Sequence, residues 1–174
     1  KIFTTLLILL LSAGSLFAQT SDTINQVDAQ GQKHGLWIKK YDNGQVQYKG
    51  RFNHGEPVGS FTRYFPNGKT MAIMDHGHQG GVYATLFNIK GQKRAEGLYV
   101  DKQKDSTWIF YESRGQIIIS EKYDQGQRHG QSIKFFPNGD TSHVTTWRDG
   151  KRHGPYKQYF PNGQMKLLAN YENG

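Results

Sequence analysis

The sequence contains no cysteine. This absence excludes disulfide bonds, thiolate metal ligands, cysteine nucleophiles and the acylated cysteine that anchors a bacterial lipoprotein. Long hydrophobic runs are also missing, and the mean hydropathy is −0.74. The apolar run from Leu6 to Leu11 is too short to span a bilayer. We therefore expect no membrane-embedded domain in the mature chain.

The short apolar run has the setting of an export signal. Lys1 precedes it, and small residues follow it up to Ala18, which is the layout of a secretory signal peptide over residues 1–18. We predict a signal-peptide helix there, a flexible leader over residues 19–27 and a repeat array over residues 28–174. The protein is then exported, and we expect it in the periplasm, at the outer envelope or outside the cell.

Acidic residues are fewer than basic ones, with 14 Asp and Glu against 22 Lys and Arg and a formal net charge of +8. A basic surface favours anionic partners such as lipid or cell-wall polymer. The tightest basic cluster is only residues 151–153, so a solvated basic face is the simpler interpretation.

Glycine is abundant, and its positions reveal an internal repeat. Glycines that close a turn recur 23 or 24 residues apart, at Gly44, Gly68, Gly91, Gly115, Gly139 and Gly163. Four of them follow an asparagine, and Asn-Gly is a strong signal for a hairpin turn because it tolerates positive φ. The sequence therefore predicts six hairpins, one for each unit of about 24 residues.

Other columns repeat with the same period. A second glycine precedes the turn at Gly35, Gly59, Gly130 and Gly154, and large side chains follow it at Trp37, Phe61, Trp108 and Tyr156. An aromatic such as Tyr41 comes just before the turn, and further aromatics follow the turn at Tyr123, Trp147 and Tyr171. We interpret these residues as the ones that define the repeat structurally.

Alternation along each unit has the period of a strand, since Trp37 and Lys39 alternate with Leu36 and Ile38. We predict an all-β fold, an elongated and twisted antiparallel sheet of about six tandem β-hairpin repeats with twelve strands. Aromatic side chains at matching heights then stack between neighbouring hairpins. The third unit, from Val82 to Lys102, departs most from the pattern, and we expect a soft joint there.

The segments from Lys33 to Gly44 and from Lys151 to Gly163 resemble the MORN repeat, and more closely its bacterial variant. Proteins similar to this include the YwqK-type antitoxins and many exported proteins. The resemblance implies a binding or scaffold surface, with protein partners proposed most often and lipid attachment sometimes. It suggests an antitoxin-like binding protein as a further alternative.

The sequence contains no recognisable catalytic or metal-binding motif. The best metal candidate is the pair His76 and His78, but no third ligand is placed near it, and we predict no metal site. Ser142 and His143 are neighbours whose strand phase points them to opposite faces. The carboxylates are scattered.

We therefore predict no catalytic residues and no cofactor, and we expect that the protein is not an enzyme. Export and the placement of the aromatics in core columns argue against nucleic acid as a partner. A protein-interaction or scaffold module at the cell envelope is the leading hypothesis. Attachment to anionic lipid or cell-wall polymer remains the alternative.

Overall fold

The structure is a computed structural model that describes residues 23–78 and 80–174. Thirteen β-strands make up its regular elements. They are β1 (Gln26–Val27), β2 (Lys33–Lys40), β3 (Val46–Asn53), β4 (Glu56–Tyr64), β5 (Thr70–His78), β6 (Gly81–Phe87), β7 (Lys93–Val100), β8 (Gln103–Tyr111), β9 (Ile117–Asp124), β10 (Gln127–Phe135), β11 (Thr141–Arg148), β12 (Lys151–Tyr159) and β13 (Met165–Tyr171).

Every strand pairs only with the strands before and after it in the chain, and all the pairs are antiparallel in one open sheet. This confirms the predicted fold class, with β2 to β13 as the twelve strands of six hairpins. The predicted signal-peptide helix and residues 19–22 lie outside the described residues. Among the described residues, no helix is long and apolar enough to cross a membrane.

The last residues of the predicted flexible leader form part of the sheet. Gln26 and Val27 pair with β2 as the short strand β1. The Gln26 carbonyl also accepts a hydrogen bond of 2.8 Å from Trp37 Nε1. The repeat pattern begins after this segment, so the spacing of the repeats could not predict this strand.

The six predicted turns lie at the six predicted glycines, each with a positive φ. At the first turn, Gly44 N donates to the Tyr41 carbonyl at 2.9 Å, and Tyr41 N donates to the Gln45 carbonyl at 2.8 Å. Asn43, like the other asparagines of these turns, has no positive φ in the part of the chain that is described. Its Oδ1 atom instead accepts from Gln45 N at 3.1 Å. These turns are therefore glycine-bulge turns, in which the glycine alone takes the positive φ and the asparagine side chain caps the turn.

Two consecutive positive φ values occur at the opposite edge of the sheet. The pairs His54-Gly55 and Gln125-Gly126 connect one hairpin to the next, as type I′ turns do. Gly55 N donates to the Lys33 carbonyl at 2.9 Å. Each of these connections therefore ties a unit to the next through the backbone.

The most buried side chains concentrate in the middle of the sheet. Trp108 and Ala84 are fully buried, and Ala95 and Leu98 are nearly so. Ala84, Ala95 and Leu98 belong to the third unit, in which the sequence predicted a soft joint. The small side chains that make this unit irregular in sequence are thus well packed in the structure.

Candidate functional site

Many aromatic side chains lie on one face of the sheet. The strand pairing identifies them, because paired residues of antiparallel strands project to the same side. Trp37 lies opposite Gly50 in the pairing of β2 with β3. The rings of Tyr48 and Phe61 stack with their centroids 5.2 Å apart, and Phe52 meets Phe61 edge-on at 5.7 Å. We call this side of the sheet the aromatic face.

A second aromatic cluster lies farther along the same face. Trp108 is 0% exposed, and its Nε1 atom donates to the Leu98 carbonyl at 2.9 Å. Tyr99 contacts the indole edge-on, with centroids 4.8 Å apart. Because the indole N–H is satisfied inside the sheet, Trp108 contributes packing and leaves no free donor for a ligand.

The other residues that define the repeat divide between this face and the two edges. Strand register places Tyr123, Trp147, Tyr156 and Tyr171 on the aromatic face. Gly35, Gly59, Gly130 and Gly154 have positive φ near the starts of their strands, while Gly44, Gly68, Gly115, Gly139 and Gly163 form turns. Tyr41 joins neighbouring units, because its hydroxyl donates to the Tyr64 carbonyl at 2.8 Å.

A row of cations runs along the aromatic face, in positions directly opposite the last aromatic of the preceding unit. Lys104 pairs with Tyr99, Arg128 with Tyr123 and Arg152 with Trp147. Lys33 begins the first unit in the same way. We call Lys33, Lys104, Arg128 and Arg152 the cation column.

Each member of the cation column lies over rings of its own unit. Lys33 Nζ is 4.7 Å from the centroid of Trp37 and 4.8 Å from that of Phe52. Lys104 Nζ is 4.6 Å from the centroid of Trp108. The guanidinium of Arg128 lies 4.8 Å from the Trp147 ring and that of Arg152 lies 5.0 Å from the Tyr171 ring. All these distances are within the range of cation–π attraction.

Burial among the rings affects the ammonium of Lys104 itself. Desolvation lowers the pKa of Lys104, the nearby charge of Glu121 raises it, and Arg128 lowers it further. The sequence analysis missed the cation column, although the period that aligned the glycines also aligns these four basic residues.

The cation column is interrupted in the second and third units. In the second unit Pro57 lies opposite Phe52, eleven residues before its turn glycine like the four cations. In the third unit Val82 lies opposite His76, and Gly80 stands eleven residues before the turn, so neither position holds a cation. In the third unit the large side chain of the first strand is also replaced, by Ala84. Both interruptions fall at the centre of the sheet.

Small side chains leave a central groove of about 570 Å³ on the aromatic face. Its apolar lining includes Ala72, Ala84, Ala95, Leu86, Phe110 and Trp108. Arg63, Arg94 and Lys104 also line it. The groove therefore offers an apolar surface with three cationic groups to a ligand.

A second depression of about 830 Å³ adjoins this groove and shares Met74 and Tyr99 with it. Pro57, His76 and Val82 line it, which are residues of the interrupted part of the column. We call it the column gap. Burial lowers the pKa of His76, and the charges of Asp75 and Glu56 oppose that effect.

The fifth unit replaces its aromatic with a polar cluster. Ser132 lies opposite Glu121, and both side chains are buried. Glu121 accepts a hydrogen bond of 2.6 Å from the Tyr123 hydroxyl and forms an ion pair of 3.0 Å with Arg128 Nε. The carboxylate of Glu121 and the guanidinium of Arg128 neutralise each other. In the fifth unit this polar cluster takes the structural place of the aromatic packing of the other units.

The histidine pair with metal-ligand spacing does not converge. The His76 ring contacts Phe61 on the aromatic face at 6.1 Å, whereas the His78 ring contacts Tyr83 at 5.5 Å. Tyr83 lies opposite Asp75, one residue out of phase with His76, and so projects from the other face. Within residues 23–78 and 80–174, no group of three potential metal ligands is close enough to hold an ion.

Ser142 and His143 are closer than their strand phase predicted. His143 Nδ1 and Ser142 Oγ are 3.0 Å apart, so the expectation that the two side chains point to opposite faces is wrong. Burial, Lys134 and Lys166 lower the pKa of His143. Ser142 is itself buried, which gives the pair a structural role in β11.

Two segments of the chain, residues 33–54 and 152–173, match the family model described as MORN repeat variant. They correspond to the first and the last hairpin units, and the units between them have the same turns and strand order. The resemblance to the MORN-repeat variant is thereby confirmed, and MORN repeats are in general involved in binding proteins or membranes. No curated protein shows significant similarity to the chain.

Proposed function

Because its first and last hairpins are MORN-variant repeats, we propose that this chain is a non-catalytic binding module that receives a protein partner on its aromatic face. We propose further that it is exported and acts at the cell envelope, either as a scaffold or as an interaction partner. The signal-peptide pattern of residues 1–18 supports export. An antitoxin-like role is a narrower form of the same proposal.

The central groove carries this proposal. Binding sites are concave, largely apolar and equipped with a few polar groups that fix orientation. The groove has this character, with Ala84 and Trp108 among its lining and with Arg63 and Arg94 beside them. Apolar side chains of a partner segment would bury against the alanines, and partner carboxylates would meet the two guanidinium groups.

The test is face-specific capture from an envelope extract, analysed by mass spectrometry. The variant Arg63→Gln with Arg94→Gln removes two exposed cations beside the groove. The matched control, Lys49→Gln with Lys122→Gln, removes two exposed cations whose register places them on the opposite face. We expect a partner that is lost with the first variant and retained with the control. Equal capture by both variants would contradict the proposal.

Attachment to an anionic surface is the second candidate. Lys39, Arg63 and Lys134 all project from the aromatic face, as their pairing with Tyr48 and His143 shows. Liposomes with and without anionic lipid, each at low and physiological salt, distinguish the two candidates. Binding that needs anionic lipid and falls steeply with salt would favour surface attachment, because exposed charges are screened over a Debye length of about 8 Å at physiological salt.

A further inference from the structure

The cation column shows what the column gap lacks. In four units a lysine or arginine of the chain itself lies over the last aromatic ring of that unit, as Lys104 does over Tyr123 at 5.0 Å and Arg152 does over Tyr171 at 5.0 Å. The second and third units keep a ring in that place, His76 and Tyr99. The residues that lie opposite the last ring of the preceding unit are Pro57 and Val82 there, and neither can supply a charge.

The two interruptions open into one depression. Pro57, His76, Val82 and Tyr99 all line the column gap, so both missing cations would occupy the same space. Its volume of about 830 Å³ is larger than that of the central groove, at about 570 Å³. The gap therefore has room for a long side chain and part of its backbone.

The charges around the gap also differ from those of the chain as a whole. Glu56, Asp101 and Lys102 are the residues of fixed charge that line it, which gives one more negative than positive charge, in a chain of net charge +8. Burial lowers the pKa of His76, so this ring is neutral at neutral pH and does not replace the missing cation. A positively charged group entering the gap meets aromatic surface and two carboxylates.

We propose that the column gap binds a lysine or arginine side chain of a protein partner, which completes the cation column over Tyr99 and His76. This inference deepens the proposed function and rests on it. The partner segment would place its cationic side chain in the gap and its neighbouring apolar side chains in the central groove, since the two share Met74 and Tyr99.

A pair of peptides tests the charge requirement directly. One is a capped pentapeptide with a single arginine between glycine and serine residues, and the other carries citrulline, the neutral analogue, in its place. Binding to the full chain is followed by NMR, using the methyl group of Met74 and the ring of Tyr99. We expect saturable shifts with the arginine peptide and about two- to thirtyfold weaker binding of the citrulline peptide, the range that corresponds to a cation–π contact.

Two matched variants test the place of binding. Val82→Lys supplies the missing cation from within the chain and should reduce binding of the arginine peptide to the level of the citrulline peptide. Thr85→Lys adds the same charge to the same strand, but Thr85 lies opposite Ile73 and Glu96 on the other face, so binding should be unchanged. Tyr99→Leu, which removes the ring without adding a charge, should weaken binding in the same way as Val82→Lys.

The outcomes separate this inference from the proposed function. Equal binding of the two peptides, or equal loss with Val82→Lys and Thr85→Lys, would overturn the inference. If a partner depends on Arg63 and Arg94 but is captured equally by wild type and Val82→Lys, the inference fails and the proposed function stands. If the arginine peptide binds as expected while no partner depends on the aromatic face, the proposed function fails instead.

Discussion

Gly97 lies directly under the indole ring of Trp108, and a Cβ atom built on Gly97 would come within 2.5 Å of the ring atom Cδ2. Real side chains do not approach so closely. The absence of a side chain at Gly97 therefore makes the burial of Trp108 possible. The same relationship holds between Gly50 and the ring of Phe61.

The first prediction concerns this contact. Gly97→Ala should lower the free energy of unfolding by about 1–3 kcal/mol, the usual cost of overpacking, because the fully buried ring cannot move away. Chemical denaturation measures the loss. The control is the same substitution in a Trp108→Ala background, where the cost should largely disappear as the coupling between the two positions is removed. An equal cost in both backgrounds would mean that the steric argument is wrong.

Loss of the indole itself is the second prediction. Trp108→Ala should reduce the free energy of unfolding by about 3–5 kcal/mol, because a fully buried aromatic leaves a large cavity. Trp147 is only partly buried and is the natural comparison, since Trp147→Ala should cost less. Urea titrations of both variants give the two values. A larger loss for Trp147 would contradict the assignment of the core to the middle of the sheet.

The third prediction concerns the turn at Gly139, which has a φ of +90° and no atom within 4 Å of a built Cβ. Space is available, so a substitution there is penalised by backbone conformation alone. Gly139→Val should lower the melting temperature, because β-branched residues tolerate positive φ poorly. Gly139→Asn should lower it less, since asparagine tolerates the left-handed region. Equal melting temperatures for the two variants would show that the turn relaxes to another form.

Titration of Tyr123 provides the fourth prediction. Burial, and then the hydrogen bond to Glu121, raise the pKa of Tyr123 to about 12 from 10.0. The folded state therefore keeps its proton where the unfolded state has lost it. The stabilisation from this group is fully present below pH 10 and is lost as the pH rises through 12. The phenolate absorbance of wild type minus that of Tyr123→Phe should show a midpoint near 12, and a midpoint near 10 would contradict the structure.

The fifth prediction concerns the third unit. The sequence predicted a soft joint there, but the burial of Ala84, Ala95 and Leu98 argues against one. We expect backbone amides in β6 and β7 to exchange with deuterium no faster than those in β4 and β5. Hydrogen exchange followed by mass spectrometry makes the comparison, with both pairs of strands in the same sample. Faster exchange confined to β6 and β7 would restore the soft joint.

The fold was predictable because its determinants are local and repeated. Turn glycines such as Gly44 and Gly163 recur with one period, so each unit supports the interpretation of the others. The kind of turn was harder to predict. Whether Asn43 takes a positive φ or caps the turn through its side chain depends on how many residues the loop uses, and Asn-Gly occurs in both arrangements.

The candidate site was less accessible from the sequence. A binding surface was implied by the resemblance to MORN repeats, but the groove depends on Ala84, a small residue where four of the other units have a large aromatic side chain. The column gap depends on register, because the register shift lies between His76 and His78 where the third unit begins, whereas in the fifth unit it lies between Arg128 and Ser132. Such a local change in pairing has no signature in the spacing of glycines alone.

The strictly sequential strand order has a consequence for how this chain folds and changes. Each hairpin pairs only with its neighbours along the chain, so the contact order is low for an all-β protein, and no distant segment must return to close the sheet. Folding can nucleate at any well-packed unit, such as the one around Trp108, and propagate outwards. Duplicating or deleting a whole unit would then lengthen or shorten the groove in discrete steps while leaving the remaining hairpins intact.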